Sequence, residues 1–226
     1  MNGLFVTGTD TGVGKTTVAV GLVAAFAARG LRVAAMKPCE TGGGSDAARL
    51  RAATGRALDR ALVSPYRFRL AAAPEIAARA EGARISVPAI VRAYRQLARD
   101  ADLTIVEGAG GLLVPLTARA SMADLAAHLA LPVVVVARTT LGTINHTLLT
   151  IEAARRRRLQ VVGVVFSRTD RGADRGEARA LAAIARLGRV PTLGIVPHLA
   201  HAHEADPARL GRAIERSVDL DALLRA

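Results

Sequence analysis

The chain has 226 residues, 51% of them apolar and 3% aromatic, with a formal net charge of +12. That length suits a single α/β domain over residues 1–226, no apolar run is long enough to cross a bilayer, and Met1–Phe5 lacks the basic start and long apolar stretch of a secretory signal. One cysteine, Cys39, excludes an intramolecular disulfide and fits a reducing cytoplasm, so a cytoplasmic protein with no membrane partner is expected.

Leu4–Thr7 is an apolar run that ends at Gly8, which predicts a buried strand feeding a Gly-rich turn. Thr16–Arg29 has helical spacing and stops at Gly30, and Leu31–Met36 reads as a second strand ending at Lys37-Pro38. After the flexible turn Gly42-Gly43-Gly44, Ser45 is placed to cap a helix through Ala53. Residues 56–85 are ambiguous, with loops and a short helix near Pro74. Ser86–Asp100 is an amphipathic helix that holds Pro88 in its first turn. Leu103–Val106 predicts a strand ending at Glu107, followed by a helix over Ser121–Ala130 and a strongly apolar strand over Pro132–Ala137. A helix over Leu141–Arg157, a strand over Val161–Phe166, a helix over Asp174–Leu187, a strand over Thr192–Val196 and a helix over Pro207–Arg216 complete the pattern.

Strands alternate with helices, and the strands are continuous apolar runs. That combination predicts an α/β fold with a mostly parallel sheet covered by helices on both faces. Right-handed crossovers then bring the segments after the strands to one edge, where ligands bind. Six segments should converge there: Gly8–Thr16, Lys37–Thr41, Glu107–Gly111, Arg138–Asn145, Ser167–Asp170 and Pro197–Leu199.

Gly8-Thr-Asp-Thr-Gly-Val-Gly-Lys15-Thr16-Thr17 lies between a strand and a helix. There, successive backbone N–H groups form an anion nest and the helix N-terminus adds its dipole. This is a P-loop NTPase signature, with Lys15 placed to reach the β and γ phosphates and the Thr16 hydroxyl to ligate Mg²⁺. The spacing departs from the usual loop, since Thr9 stands where its first Gly normally is. Glu107, at the end of an apolar strand and followed by Gly residues, is placed as the second metal-side acid. Asp46 reads equally well as a metal-side acid or as a first-turn helix charge.

Only two of the 31 basic residues are Lys, at positions 15 and 37. An ammonium is a compact point charge that the wide guanidinium fork does not imitate in a tight site, so both positions draw attention. The remaining basic residues are Arg, scattered over predicted helices, with one run, Arg155–Arg158, at a helix C-terminus where it complements the dipole. No RNA-binding aromatic motif or zinc spacing accompanies them, so nucleic acid is not expected as a partner. His198, His201, His203 and Glu204 suggest a metal cluster, but they lie in a Pro-bounded loop without helical i, i+4 geometry. His146 reads as a helix-cap or interface residue, and Cys39 as a small packing residue.

Thr7-Gly-Thr-Asp-Thr-Gly-Val-Gly-Lys-Thr, Lys37-Pro-Cys-Glu-Thr-Gly42, Val106-Glu-Gly-Ala-Gly-Gly111 and Leu141-Gly-Thr-Ile-Asn-His146 together resemble the dethiobiotin synthetases, the ATP-dependent cyclases of biotin synthesis. The resemblance runs over nearly the whole chain. It implies that 7,8-diaminononanoate, CO₂ and ATP, or another nucleoside triphosphate, are joined through a carbamate and a carbamic–phosphoric anhydride, with Mg²⁺. It implies Lys37, Lys15 and Thr11 as catalytic residues, and Thr16, Asp46 and Glu107 as the Mg²⁺ set. The implied nucleotide contacts are Gly12, Val13, Gly14, Lys15, Thr16 and Thr17 in the loop, then Asp46, then Glu107, Gly108, Ala109 and Gly110. Ser167 and Arg168, Pro197, His198 and Leu199, and Glu204 complete them. Substrate contacts implied are Thr11, Lys37, Thr41, Leu141, Gly142 and Asn145, the last three reaching into the site from the other subunit of a homodimer.

The chain departs from the family in three places. Ser167 stands where members commonly carry an Asn that reads the purine edge, and one hydroxyl makes no bidentate contact, so relaxed base selectivity is expected. Thr140 stands where some members have Lys, and Gly12 where some have a side chain. A partitioning-type ATPase would carry a second Lys at the position of Asp10, and a cobyrinate-amidating ligase would need a glutaminase domain; neither feature is present in this sequence.

Overall fold

The computed structural model describes residues 3–169, 176–199 and 206–225. In chain order the elements begin β1 (Gly3–Gly8), α1 (Lys15–Ala28), β2 (Val33–Met36), β3 (Cys39–Glu40), α2 (Asp46–Ala53), α3 (Arg60–Val63), β4 (Tyr66–Arg67) and α4 (Pro74–Ala80). They continue α5 (Val87–Ala98), β5 (Leu103–Gly111), β6 (Pro115–Thr117), β7 (Ala120–Ser121), α6 (Met122–Leu129), β8 (Val133–Arg138) and α7 (Thr143–Arg156). The last are β9 (Val161–Ser167), α8 (Glu177–Gly188), β10 (Thr192–Val196), α9 (Pro207–Ser217) and α10 (Leu220–Leu224).

Six strands form a parallel sheet in the order β10-β9-β8-β1-β5-β2. Each strand is apolar throughout because each of its faces meets a different core. On β1, Phe5 packs on one side with Val133 and Val135, while Leu4 and Val6 pack on the other with Val134 and Val136. This period-two division is why these strands show no polar–apolar alternation. β1 is central, between β5 and β8, so the loops that leave β1 and β5 emerge side by side.

The predicted elements appear close to their expected places, with instructive differences. Ser121 and Asp124 form a reciprocal cap at the start of α6, and Ser86 caps α5 by accepting from the Ala89 N–H. Ser45 precedes α2 but makes no side-chain cap; the Ala47 N–H is instead accepted by Glu40 Oε1 at 3.1 Å. β5 does not stop at Glu107 but runs on to Gly111, where it pairs with Gly8 after a shift in register. The ambiguous stretch 56–85 resolves into α3, β4 and α4, and β4 pairs with β3. The turn of helix at α10 and the β6–β7 hairpin were not foreseen. Of the helix expected from Asp174, the described part is Glu177–Gly188.

The helix behind the Gly-rich turn is held by an unusually close helix pair. A Cβ on Gly21 of α1 would lie 3.2 Å from the Leu210 carbonyl oxygen of α9. One on Gly211 of α9 would lie 3.0 Å from Ala24 Cβ and 3.1 Å from the Ala25 nitrogen. Glycine here provides proximity of one helix backbone to another. Gly211→Ala should lower unfolding stability by about 1–3 kcal/mol through overpacking, read as a lower urea midpoint at unchanged slope.

Candidate active site

At the C-terminal edge of the sheet lies a cleft of about 1060 Å³, lined by the β1–α1 loop, the segment after β2, the start of α2, the C-terminal half of β5, and residues at or just beyond the ends of β9 and β10. The β1–α1 loop turns through Gly12 at φ 75° and Gly14 at φ 89°, conformations that L side chains rarely adopt. α1 starts at Lys15 with no side chain capping it, which leaves its first-turn amides turned to the cleft as anion donors. Lys15 folds back to donate to the Asp10 carbonyl at 2.7 Å, while the Thr11 N–H donates to Asp10 Oδ1 at 2.7 Å. Burial pulls the Lys15 ammonium down to a pKa of about 8, against the opposing pull of Glu107.

Lys37 is the centre of the charge cluster. Its Nζ lies 2.6 Å from Glu107 Oε1 and 3.0 Å from Asp46 Oδ2, and donates more weakly to the Gly108 carbonyl at 3.3 Å. Burial pushes this ammonium down, but the two carboxylates outweigh it and hold its pKa above the ordinary value. Asp46 is shifted the other way: burial raises it, but the Lys37 ammonium outweighs this and brings it below the usual carboxylate range. Asp46 is thus both the first residue of α2 and an ion-pair partner of Lys37 in this cluster.

The Thr16 hydroxyl donates to Glu107 Oε1 at 2.8 Å, the same oxygen that faces Lys37. Glu107 is 0% exposed, and its other oxygen, Oε2, is buried with no hydrogen-bond partner. Buried carboxylate oxygens without partners are costly, so this atom is suited to accept from a cation or its water shell. Hydroxyl, carboxylate and bare oxygen together fit a hard divalent cation that keeps most of its ligands from water and phosphate. No cluster of three or more His, Cys, Asp or Glu among the described residues fits a metal by itself.

Thr11, Gly12, Gly14, Thr17, Thr41, Ala109, Gly110, Ser167, Arg168, His198 and Leu199 line this cleft with the charged cluster. Ser167 is 4% exposed and packs against the phosphate loop, so that a Cβ on Gly14 would fall 2.9 Å from its Cβ. Arg168 is held by two hydrogen bonds to the buried Glu177, at 2.7 and 3.2 Å. Other expected residues lie elsewhere. Val13 is buried in the core, and Gly108 contributes its carbonyl from behind. Pro197 borders a separate shallow depression beside Arg209, Arg212 and Arg216. Glu204, His201 and His203 lie outside the described residues.

The Arg138–Asn145 segment does not converge on this cleft. Leu141, Gly142 and Asn145 are absent from its lining, and Leu141 is 92% exposed. His146 does not cap α7: Gly142 stands at the cap, and His146 Nδ1 faces Arg138 at 3.5 Å. Sequence reasoning missed Arg49, Val114 and the wall formed by Ala71, Ala72, Ala73 and Pro74, while Thr169 falls in the expected Ser167–Asp170 segment. Arg49 had a signal, since it lies one helical turn after Asp46. The alanine wall had none. Cys39 also borders the cleft, but burial raises its thiol to a pKa of about 12, which removes it as a nucleophile.

A Lys-Thr pair at a helix start, an acid on the adjacent strand and a parallel sheet between two helical layers define a P-loop NTPase fold. A family model described as an AAA domain matches residues 2–205. Relatives from several Anaeromyxobacter strains bear the name ATP-dependent dethiobiotin synthetase BioD. The one from Anaeromyxobacter dehalogenans (strain 2CP-C) is 50% identical over 218 residues, covering 95% of this chain and 96% of the relative. The one from Anaeromyxobacter sp. (strain K) is 48% identical over the same shares. Among solved structures, a ParA family ATPase from Chlorobium tepidum TLS matches with a TM-score of 0.61 at 15% identity, covering 97% of this chain and 98% of that one. That last likeness carries the fold alone. The chain belongs to the ATP-dependent dethiobiotin synthetase family, and is an ATP-dependent ligase that forms C–N bonds.

Proposed function

We propose that this enzyme closes the ureido ring of dethiobiotin from 7,8-diaminononanoate and CO₂, with ATP and Mg²⁺, through a carbamate and a carbamic–phosphoric anhydride. The observation that carries this reading is the Lys37 ammonium, buried between Glu107 and Asp46 and set beside Lys15 in one cleft. One amine adds to CO₂ and loses a proton, giving a carbamate. A carbamate oxygen attacks the γ-phosphorus and ADP leaves. The second amine then attacks the carbamoyl carbon and phosphate is expelled. Both amines sit on one molecule, so the protein supplies mainly position and charge.

The loop amides from Gly12 to Thr17 cradle the phosphates, and Lys15 exchanges the Asp10 carbonyl for phosphate oxygen. Lys37 faces the carbamate and the transferred phosphoryl, where charge builds between two anions. Thr11 and Thr41 hold substrate, while Ala109, Gly110, Ser167, Arg168, His198 and Leu199 enclose the nucleotide. Thr16, Asp46 and Glu107 would hold Mg²⁺, which supplies positive charge to the triphosphate oxygens. Leu141, Gly142 and Asn145 serve a partner's site in a homodimer; support comes from the exposed apolar side chains of Leu141, just before α7, and Ile144 and Leu149 along its first half.

Phosphate release with diaminononanoate and bicarbonate tests the reading. In that assay Lys37→Arg should lose roughly 100- to 1,000-fold in turnover while still binding nucleotide, and near wild-type turnover would refute the point-charge argument. The single hydroxyl of Ser167 offers few groups for a wrong base to leave unpaired. CTP, GTP and UTP should therefore support initial rates within about tenfold of ATP, a gap near 1.4 kcal/mol; a hundredfold preference for ATP would mean the base is read elsewhere. For the dimer, Lys37→Ala and Asn145→Ala proteins are mixed and refolded together. Heterodimers should regain one good site, and no regain in verified heterodimers would remove Asn145 from the partner's site.

A further inference from the structure

Glu40 belongs to none of the roles above, yet it is 2% exposed in a strand of two residues. Its carboxylate reaches two separate places. Oε1 accepts the Ala47 N–H at 3.1 Å in the first turn of α2, and Oε2 pairs with Arg67 Nε at 3.1 Å on β4. Its backbone carbonyl also accepts the Phe68 N–H at 2.8 Å. A buried carboxylate with both oxygens engaged is rigidly placed, and a carboxylate at a helix start is favoured by the dipole.

What Glu40 secures is the entry to α2. The chain reaches Asp46 through Gly42-Gly43-Gly44, with Gly42 at φ 80° and Gly43 at φ 65°, a stretch with little conformational preference of its own. Ser45 makes no side-chain cap. The Glu40 side chain therefore spans this turn, linking the Lys37–Glu40 segment directly to the helix whose first residue is Asp46.

We infer that Glu40 is a positioning residue that holds α2 so that Asp46 meets the cation site beside Lys37. The inference rests on the reading of Asp46 as a metal-side acid. Its chemistry is that of an outer-shell acceptor: length and an available oxygen matter, and negative charge matters less. Glu40→Gln keeps the length and an acceptor oxygen for Ala47. Glu40→Asp keeps the charge but is one methylene short of the Ala47 amide. A requirement for charge alone gives the opposite order.

The test is Mn²⁺ binding to the ADP complex, followed by electron paramagnetic resonance, with unfolding midpoints measured alongside. Glu40→Asp and Glu40→Ala should weaken Mn²⁺ binding by about tenfold or more, the scale of losses from outer-shell changes, while Glu40→Gln should stay within about threefold of wild type. Wild-type Mn²⁺ affinity in folded Glu40→Asp, or a Glu40→Gln loss as large as that of Glu40→Asp, would overturn the inference. Asp46→Asn separates the two readings. If it leaves Mn²⁺ affinity unchanged, the metal role of Asp46 is what fails; if it weakens binding while Glu40→Asp does not, only the role of Glu40 fails.

Discussion

Lys37 brings a full positive charge into a site where it is 5% exposed, and the neighbouring architecture answers to that charge. An unpaired ammonium at this depth would cost several kcal/mol, so Glu107 and Asp46 must approach it from two different elements. Glu107 in turn takes the Thr16 hydroxyl, and Thr16 is fixed by the first turn of α1. The phosphate loop, the segment after β2, the middle of β5 and the start of α2 are thereby joined through one cation. The two ammonium groups, Lys15 and Lys37, face the carboxylates of Glu107 and Asp46, so the charges of the largely buried cluster are close to balanced.

Sheet order makes this convergence possible. β2, β5 and β1 are consecutive neighbours, so Lys37 just beyond β2, Glu107 on β5 and the loop beyond β1 share one edge. The continuation of β5 past Glu107, paired with Gly8, then sets its Gly residues against the phosphate loop. β9 and β10 lie on the far side of β8, and residues at or beyond their ends, Ser167 to Thr169 and His198 to Leu199, also line the cleft.

Where local chemistry decides, the sequence was readable. The Gly-rich turn before Lys15 is defined by spacing, and the apolar runs on both sides of it left little choice of fold. Lys37 stood out because Arg fills nearly every other basic position. Asp46 could not be resolved, since a first-turn carboxylate looks the same whether or not an ammonium from another segment reaches it. Ser45 misled for a related reason: a good capping residue lost the Ala47 amide to Glu40, a tertiary competitor invisible to local propensity. The wall from Ala71 to Pro74 carries no polar signal at all. The edge rule also overreached at Arg138–Asn145: it identifies which end of the sheet binds ligand, but not the direction a loop takes on leaving its strand.

The close approaches at Gly21 and Gly211 bear on how firmly the phosphate loop is backed. Two helices whose backbones touch through absent side chains cannot slide past each other by a turn without driving one main chain into the other. The rod that carries Lys15 and Thr16 is thereby keyed to α9 like a shaft in a slot. The phosphate seat is thereby backed by a helix with no room to shift along its neighbour.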